Sequence, residues 1–218
     1  MLKTPELLDL SHSLAGAYLS GFTYPWQALK GIQALILALG PELSDDYTEV
    51  SPQVWVHNTA TVAPTAFLGA PCIIGAHTEV RHCAFIRGSA LVGENCVVGN
   101  SVELKNVILF DNVQVPHYNY VGDSILGYKS HMGAGSLTSN VKSDKTLVVV
   151  KNGLEHIPTG LKKFGAILGD HVEVGCNSVL NPGTVVGRSS NIYPVSCVRG
   201  VVPPSSIWKT GGKIVAKE

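Results

Sequence analysis

The sequence predicts an all-β solenoid, a parallel β-helix built from six-residue rungs, preceded by a short α-helical segment. Three observations predict it. Aliphatic or aromatic residues stand at Val56, Val62, Leu68, Ile74, Val80, Ile86, Val92, Val98, Leu104 and Phe110, ten positions at an unbroken spacing of six. Glycine follows several of them, at Gly69, Gly75, Gly93 and Gly99. A small or β-branched residue recurs four places after the aliphatic one, at Ala66, Cys72, Thr78, Ala84, Ala90, Cys96 and Val102. A period of six matches neither a helix nor an alternating strand. It fits short flat sides with the aliphatic residue pointing inward, three sides closing one triangular coil of about 18 residues. Glycine is expected to relieve the backbone at the corners.

The elements follow in chain order. Residues 1–50 form a helical segment and linker. "TPELLDLSHSLAGAYL" opens with Thr4 as an N-cap candidate and Pro5 at the first helical position. "YPWQALKGIQALILALG" is a second helix candidate whose broadly apolar face predicts packing against another element. "PELSDDYTEVSPQ" reads as a polar linker. Residues 51–210 are the solenoid. Its beat reaches Phe110, fails around Pro116, and returns at Leu126 and Met132. It returns again at Leu168, Val174, Leu180, Val186, Ile192 and Val198. Between these stretches, about residues 139–165, lies a polar insert with one β-prone run, Leu147 to Val150. Long loops on rigid repeat scaffolds tend to be functional.

Composition narrows the function. The 218 residues carry 16 basic and 16 acidic side chains, which predicts no nucleic-acid partner. Only 15% of residues are charged, so part of the surface is expected to be covered in an oligomer. The five cysteines, Cys72, Cys83, Cys96, Cys176 and Cys197, form no CxxC pair and read as small buried residues. No run is long enough for a membrane span, and the opening residues lack the pattern of a secretion signal. The expectation is no membrane and a reduced, cytoplasmic setting.

At the break stands "PHYNYVGD". The stretch from Arg87 through "VGNSVELKNVILFDNVQVPHYNYVGDSILGYKSHMGAGSLTSN" to "LGDHVEVGCNSVLNPGTVVG", roughly residues 87–200, resembles the hexapeptide-repeat acyltransferases. Within that family it resembles the acetyltransferase domain of the bifunctional enzyme that makes UDP-N-acetylglucosamine. The "YPW" resembles a connector in related sugar nucleotidyltransferases. The glycine-rich nucleotide loop of the first domain of that enzyme is not in these residues, so the reading is of the β-helix half alone. The resemblance implies a left-handed coil, a homotrimer with sites between neighbouring solenoids, acetyl-CoA as co-substrate and no metal. It places His117 as catalytic base with Glu103 beside it. Arg87 and Lys105 fall on cationic positions for a sugar phosphate, Tyr120 on a phosphate contact, and Asn140 on a sugar contact. Ala134 falls on a backbone contact to the thioester region. Three positions depart from the family pattern: His131 stands for asparagine, Val141 for tyrosine, and Cys176 for a serine that contacts CoA. His131 is then a substrate contact or a structural or subunit contact.

These residues fit acetyl transfer to the amine of an amino-sugar phosphate or sugar nucleotide. A neutral histidine accepts the amine proton near neutral pH. Backbone N–H groups of "MGAGS" would hold the oxyanion. Arginine and lysine would hold an anionic group on the acceptor. Two other readings stand beside this one. A non-catalytic sugar-nucleotide sensor or scaffold would keep the fold and lose turnover. A zinc-dependent γ-type carbonic anhydrase would use His77 and His82 of "HTEVRH", although their phase in the beat argues against it.

Overall fold

The computed structural model describes residues 2–217. From Val54 onward the chain winds as a left-handed parallel β-helix of about nine turns with three flat faces. The first face stacks strands such as Cys72–Ile74, Ala90–Val92, Ala166–Leu168 and Thr184–Val186. The second stacks Glu79–Val80, Val97–Asn100, Gln114–His117, His131–Met132 and Glu173–Val174. The third stacks Phe85–Ile86, Leu137–Thr138, Val179–Leu180 and Cys197–Val198. Strands Glu103–Leu109 and Tyr120–Leu126 run from the third face to the first without interruption.

The beat residues point inward as expected: Ile74, Ile86, Val92, Val98, Leu104, Leu126, Met132, Leu168, Leu180 and Val198 are fully buried. The break lies earlier than the sequence suggested. Leu104 pairs with Ile86, 18 residues back, but Val107 pairs with Ala90, 17 back. One corner residue is therefore missing at Lys105–Asn106. Phe110 lies one place past the rung, which Leu109 fills opposite Val92. The shortened register carries on, so His117 stacks over Asn100.

Glycine plays another role than the one expected. The left-handed corner positions are held mostly by other residues, among them Asn95, Ser101, Asn112, Tyr118, Lys129 and Asn177. Asparagine and serine tolerate that conformation through local hydrogen bonding. The recurring glycines instead permit close stacking: a Cβ at Gly99 would lie 1.6 Å from the Pro116 carbonyl oxygen. Cys72 and Cys96 are buried, and burial pushes their thiols up to about 12. Cys83, Cys176 and Cys197 are exposed, against the expectation that all five would be buried.

The N-terminal segment covers the first face. Its helices Thr4–Leu7, Gly16–Ser20 and Ile32–Leu39 are short and joined by 3-10 turns. On the covered face even the outward residues are apolar and fully buried: Ile73, Leu91, Ile108, Ile125, Ile167 and Val185. Leu7, Leu8, Trp26, Ile32 and Ile36 belong to the same core. Side-chain bonds fix the segment. The Asp9 N–H donates to the buried Asp170 carboxylate at 2.8 Å, and His12 stacks on Tyr128 at 3.6 Å. The insert forms an antiparallel hairpin, Val149–Asn152 with Glu155–Pro158, turning at Gly153–Leu154. Its base is anchored by buried Val148, Val150, Leu161 and Phe164. Antiparallel strands Tyr47–Ser51 and Ile214–Ala216 pair with the first and last coils, shielding the open edges.

Candidate functional site

Winding brings the site residues into columns. At the corner between the second and third faces, His82, Asn100, His117, Ala134 and Cys176 stack on successive coils. Their carbonyls accept, in order, the N–H groups of Ser101, Tyr118, Gly135, Asn177 and Val195. His117, Ala134 and Cys176 thus share one edge. With Arg81, Gln114 and His131 they line an open groove of about 480 Å³.

His117 is placed by its neighbours. The stretched "VPH" reaches the corner at Tyr118, in the left-handed conformation at φ 52°. Asn119 turns inward where neighbouring coils carry Val102 and Ser136, and it is buried. Its Oδ1 accepts the His117 N–H at 3.1 Å, and its Nδ2 donates to the carbonyls of Gly133 at 2.8 Å and Ser136 at 3.0 Å. Asn119 therefore pins the backbone of His117 to the next coil. The His117 side chain is exposed and bonds to no group among the described residues.

Within one chain no hydrogen bond joins Glu103 to that imidazole. Its carboxylate accepts a hydrogen bond from Arg87 at 2.8 Å, which raises the guanidinium pKa. The physical reason lies in the columns: Glu103 stands on the third face between Phe85 and Tyr120, beside the corner that carries Arg87. The carboxylate that does reach a groove histidine is Glu173, whose Oε2 lies 2.9 Å from His131 Nδ1. The 42-residue gap between them closes only through strand register.

The remaining residues gather at the corner between the third and first faces. Asp123, 5% exposed, is the hub. Its carboxylate accepts from Lys105 Nζ at 2.9 and 3.1 Å, from Asn106 Nδ2 at 2.9 Å and from Asn140 Nδ2 at 2.5 Å. Asn140 also donates to the Tyr120 hydroxyl at 3.1 Å. Burial, then the Asp123 charge, pushes the Tyr120 hydroxyl pKa up. The structure thus sorts the expected residues into two groups. His117, His131, Ala134 and Cys176 face the groove, while Arg87, Glu103, Lys105, Tyr120 and Asn140 lie across the third face, about 10 Å along the strand. Asp123 stands in the quoted "YVGD", and only its burial and donors reveal its role. His77 and His82 stand at opposite ends of the second face, and the His82 ring bonds Thr65 at 2.9 Å, so the chain does not bring the pair together. Among the described residues, no three potential metal ligands converge.

With this geometry in hand, residues 78–188, half of the chain, match the family described as GMPPB C-terminal domain. The chain belongs to this family. A GMPPB C-terminal domain also fits the columns, because the matched span holds both clusters. Among curated relatives, a bifunctional sugar-1-phosphate nucleotidylyltransferase/acetyltransferase of Sulfurisphaera tokodaii is 35% identical over 109 residues, covering 50% of this chain and 27% of that protein. A bifunctional protein GlmU of Methanococcus maripaludis is 27% identical over 206 residues, covering 92% of this chain and 50% of that protein. The chain spans about a quarter to a half of the length of such relatives. Among solved structures, a hexapeptide transferase family protein of Anaplasma phagocytophilum aligns with TM-score 0.43 at 15% identity, covering 75% of this chain and 78% of that one. PerB of Caulobacter crescentus, in complex with CoA and GDP-perosamine, aligns with TM-score 0.38 at 18% identity, covering 73% and 56%. No described helix is long and apolar enough to cross a membrane.

Proposed function

We propose that this protein is a cytoplasmic acyltransferase that moves an acetyl group from acetyl-CoA to the amine of an amino-sugar phosphate or sugar nucleotide. The observation that carries the reading is the single column of His117, Ala134 and Cys176 facing one groove. Names of the curated relatives, a nucleotidylyltransferase/acetyltransferase among them, support the same class.

In this reading the acceptor amine attacks the thioester carbonyl carbon. The exposed His117 imidazole takes the amine proton as general base, so the nitrogen enters the new amide bond uncharged. The tetrahedral oxyanion is met by the backbone N–H of Ala134, those of Gly133, Gly135 and Ser136 being donated to solenoid carbonyls, and collapse expels the CoA thiolate, which takes up a proton. Ala134 and Cys176 border the donor, and His131, held by Glu173, borders the acceptor. Arg87 and Lys105, with Tyr120 and Asn140, hold the anionic group of the acceptor. For Lys105 that role competes with Asp123, whose charge already balances it. The two clusters sit at opposite ends of one face, which suits a ligand bound between copies of a homotrimer.

The test is CoA-thiol release by purified protein with acetyl-CoA, glucosamine 1-phosphate and a panel of amino sugars and their nucleotides. Turnover is expected with one acceptor class, and His117→Ala is expected to lower kcat by about 10²- to 10⁴-fold. Turnover unchanged in His117→Ala would remove the base assignment. A second reading, a sugar-nucleotide-binding scaffold without turnover, is favoured by the unbonded His117 ring and the neutralised Lys105. Acetyl-CoA or nucleotide binding with no turnover would establish it.

A further inference from the structure

The edge that carries Arg87 and Lys105 continues upward through Gly122 and Ser139 to Asn181 and Arg199, one residue per coil. At its upper end a second set of cations converges. Lys142, Lys151 and Arg199 line one cleft of about 130 Å³ with Asn181, Pro182 and Gly200. The arrangement is built by backbone contact. Gly200 has φ +76°, and a Cβ there would lie 2.6 Å from the Lys151 carbonyl oxygen. A Cβ at Gly183 would lie 2.7 Å from Val148 Cγ1. These two glycines let the hairpin strand lie directly on the coil edge, which fixes Lys151 beside Arg199. Asn181 is held by its own bond to the Val198 carbonyl at 2.9 Å.

Charge in the cleft is one-sided. Lys142 meets Asp144 at 3.1 Å, while Lys151 and Arg199 make no ion pair among the described residues. With Lys142 paired to Asp144, the charges of Lys151 and Arg199 stay unbalanced in the cleft, and an anion between them offsets their repulsion. The cleft volume accommodates a phosphate group. Arginine beside lysines is the donor set that recognises phosphate.

We propose that this cleft binds the phosphate group of a phosphomonoester or diphosphate, at a site separate from Arg87 and Lys105. Arg199 stands four coils from Lys105, about 19 Å at the usual strand spacing, so one phosphate does not bridge the two sites. The phosphate belongs either to the 3′-phosphomonoester of CoA or to the diphosphate of CoA or of a sugar nucleotide, and each of these groups carries about two negative charges. The proposal does not depend on turnover.

The experiment is calorimetric titration of the full chain with inorganic phosphate and pyrophosphate at matched ionic strength, with chloride as control. Saturable binding is expected in the wild type and in Arg87→Ala. At least a tenfold loss of affinity is expected in Lys151→Ala/Arg199→Ala. Arg199→Lys, which keeps the charge, is expected to lose less than Arg199→Ala, and circular dichroism checks that every variant is folded. Comparing CoA with 3′-dephospho-CoA, and UDP with uridine, then assigns the source by which pair loses affinity on removing phosphate. Wild-type heats no greater than those of chloride would overturn the proposal. So would equal affinity in the folded double variant.

Discussion

Asn119 shows how a single buried polar side chain places a reactive one. A small apolar residue would fill its inward position more cheaply, as Val102 does one coil below. Asparagine is retained because it satisfies the His117 N–H and two carbonyls of the next coil at once. Replacing it by alanine leaves those groups unpaired in the interior, at about 1–3 kcal/mol. Asn119→Ala is therefore expected to lower the thermal midpoint by several degrees. Its acetyl transfer is expected to fall mainly in kcat, since the His117 backbone loses its tether. Scanning calorimetry and steady-state kinetics read the two effects, and an unchanged midpoint would show that the tether contributes nothing. At this scale the sequence offered His117 through the family resemblance, because the break it was read from lies earlier, at Lys105–Asn106. Asn119, Asp123 and Glu173 were not legible as partners, because their roles depend on which coil lies above which.

Among the elements, the N-terminal segment is the one whose purpose only packing explains. Its helices are short, and isolated helices of this length are marginal in water. They persist because the first face offers an apolar stripe on its outer side, Ile73, Leu91, Ile108, Ile125 and Ile167. Burying each such side chain contributes about 1.5–3 kcal/mol. Trp26 links the segment to the insert, stacking on Tyr24 with centroids 4.6 Å apart and on Phe164 at 5.9 Å. Trp26→Ala is expected to cost about 3–5 kcal/mol of segment docking and to expose the stripe while the solenoid stays wound. Stronger binding of a hydrophobic dye, with far-ultraviolet dichroism nearly unchanged, is the expected signature. Absence of added dye binding would mean that the segment docks without Trp26. The insert follows the same logic: its polar middle marks it as a loop, yet Val148, Val150, Leu161 and Phe164 bind its base to the coils.

For the molecule as a whole, four of the exposed apolar side chains lie on or beside the third face. Phe67 and Phe85 stack on the third face at 59% and 43% exposure, and Tyr118 and Val195 project at the adjoining corner at 65% and 71%. The groove with His117 opens at that same corner. Exposed aromatic and aliphatic side chains on one side of the solenoid are candidates for an interaction site, and the proposed trimer would cover them. Light scattering is expected to give a mass about three times the 23.1 kDa of one chain. Phe85→Asp is expected to shift that mass toward the monomer and to lower activity together with it. A wild-type monomer at micromolar concentration would overturn the assembly and, with it, the site between copies.

Taken by itself, the sequence determined the solenoid and most of the residues that face inward. A six-residue beat is local information, and each coil repeats the constraint of the last, so the pattern survives without knowledge of contacts. Tertiary structure alone decided where the phase slips, because a lost corner residue at Lys105–Asn106 is visible only in strand pairing. It alone gave Glu103 to Arg87 and Glu173 to His131, and it alone gathered Lys105, Asn106 and Asn140 around Asp123. The reason is physical: in this solenoid, lateral neighbours lie 16, 17, 18 or 42 residues apart, and a one-residue change in coil length changes every partner above it.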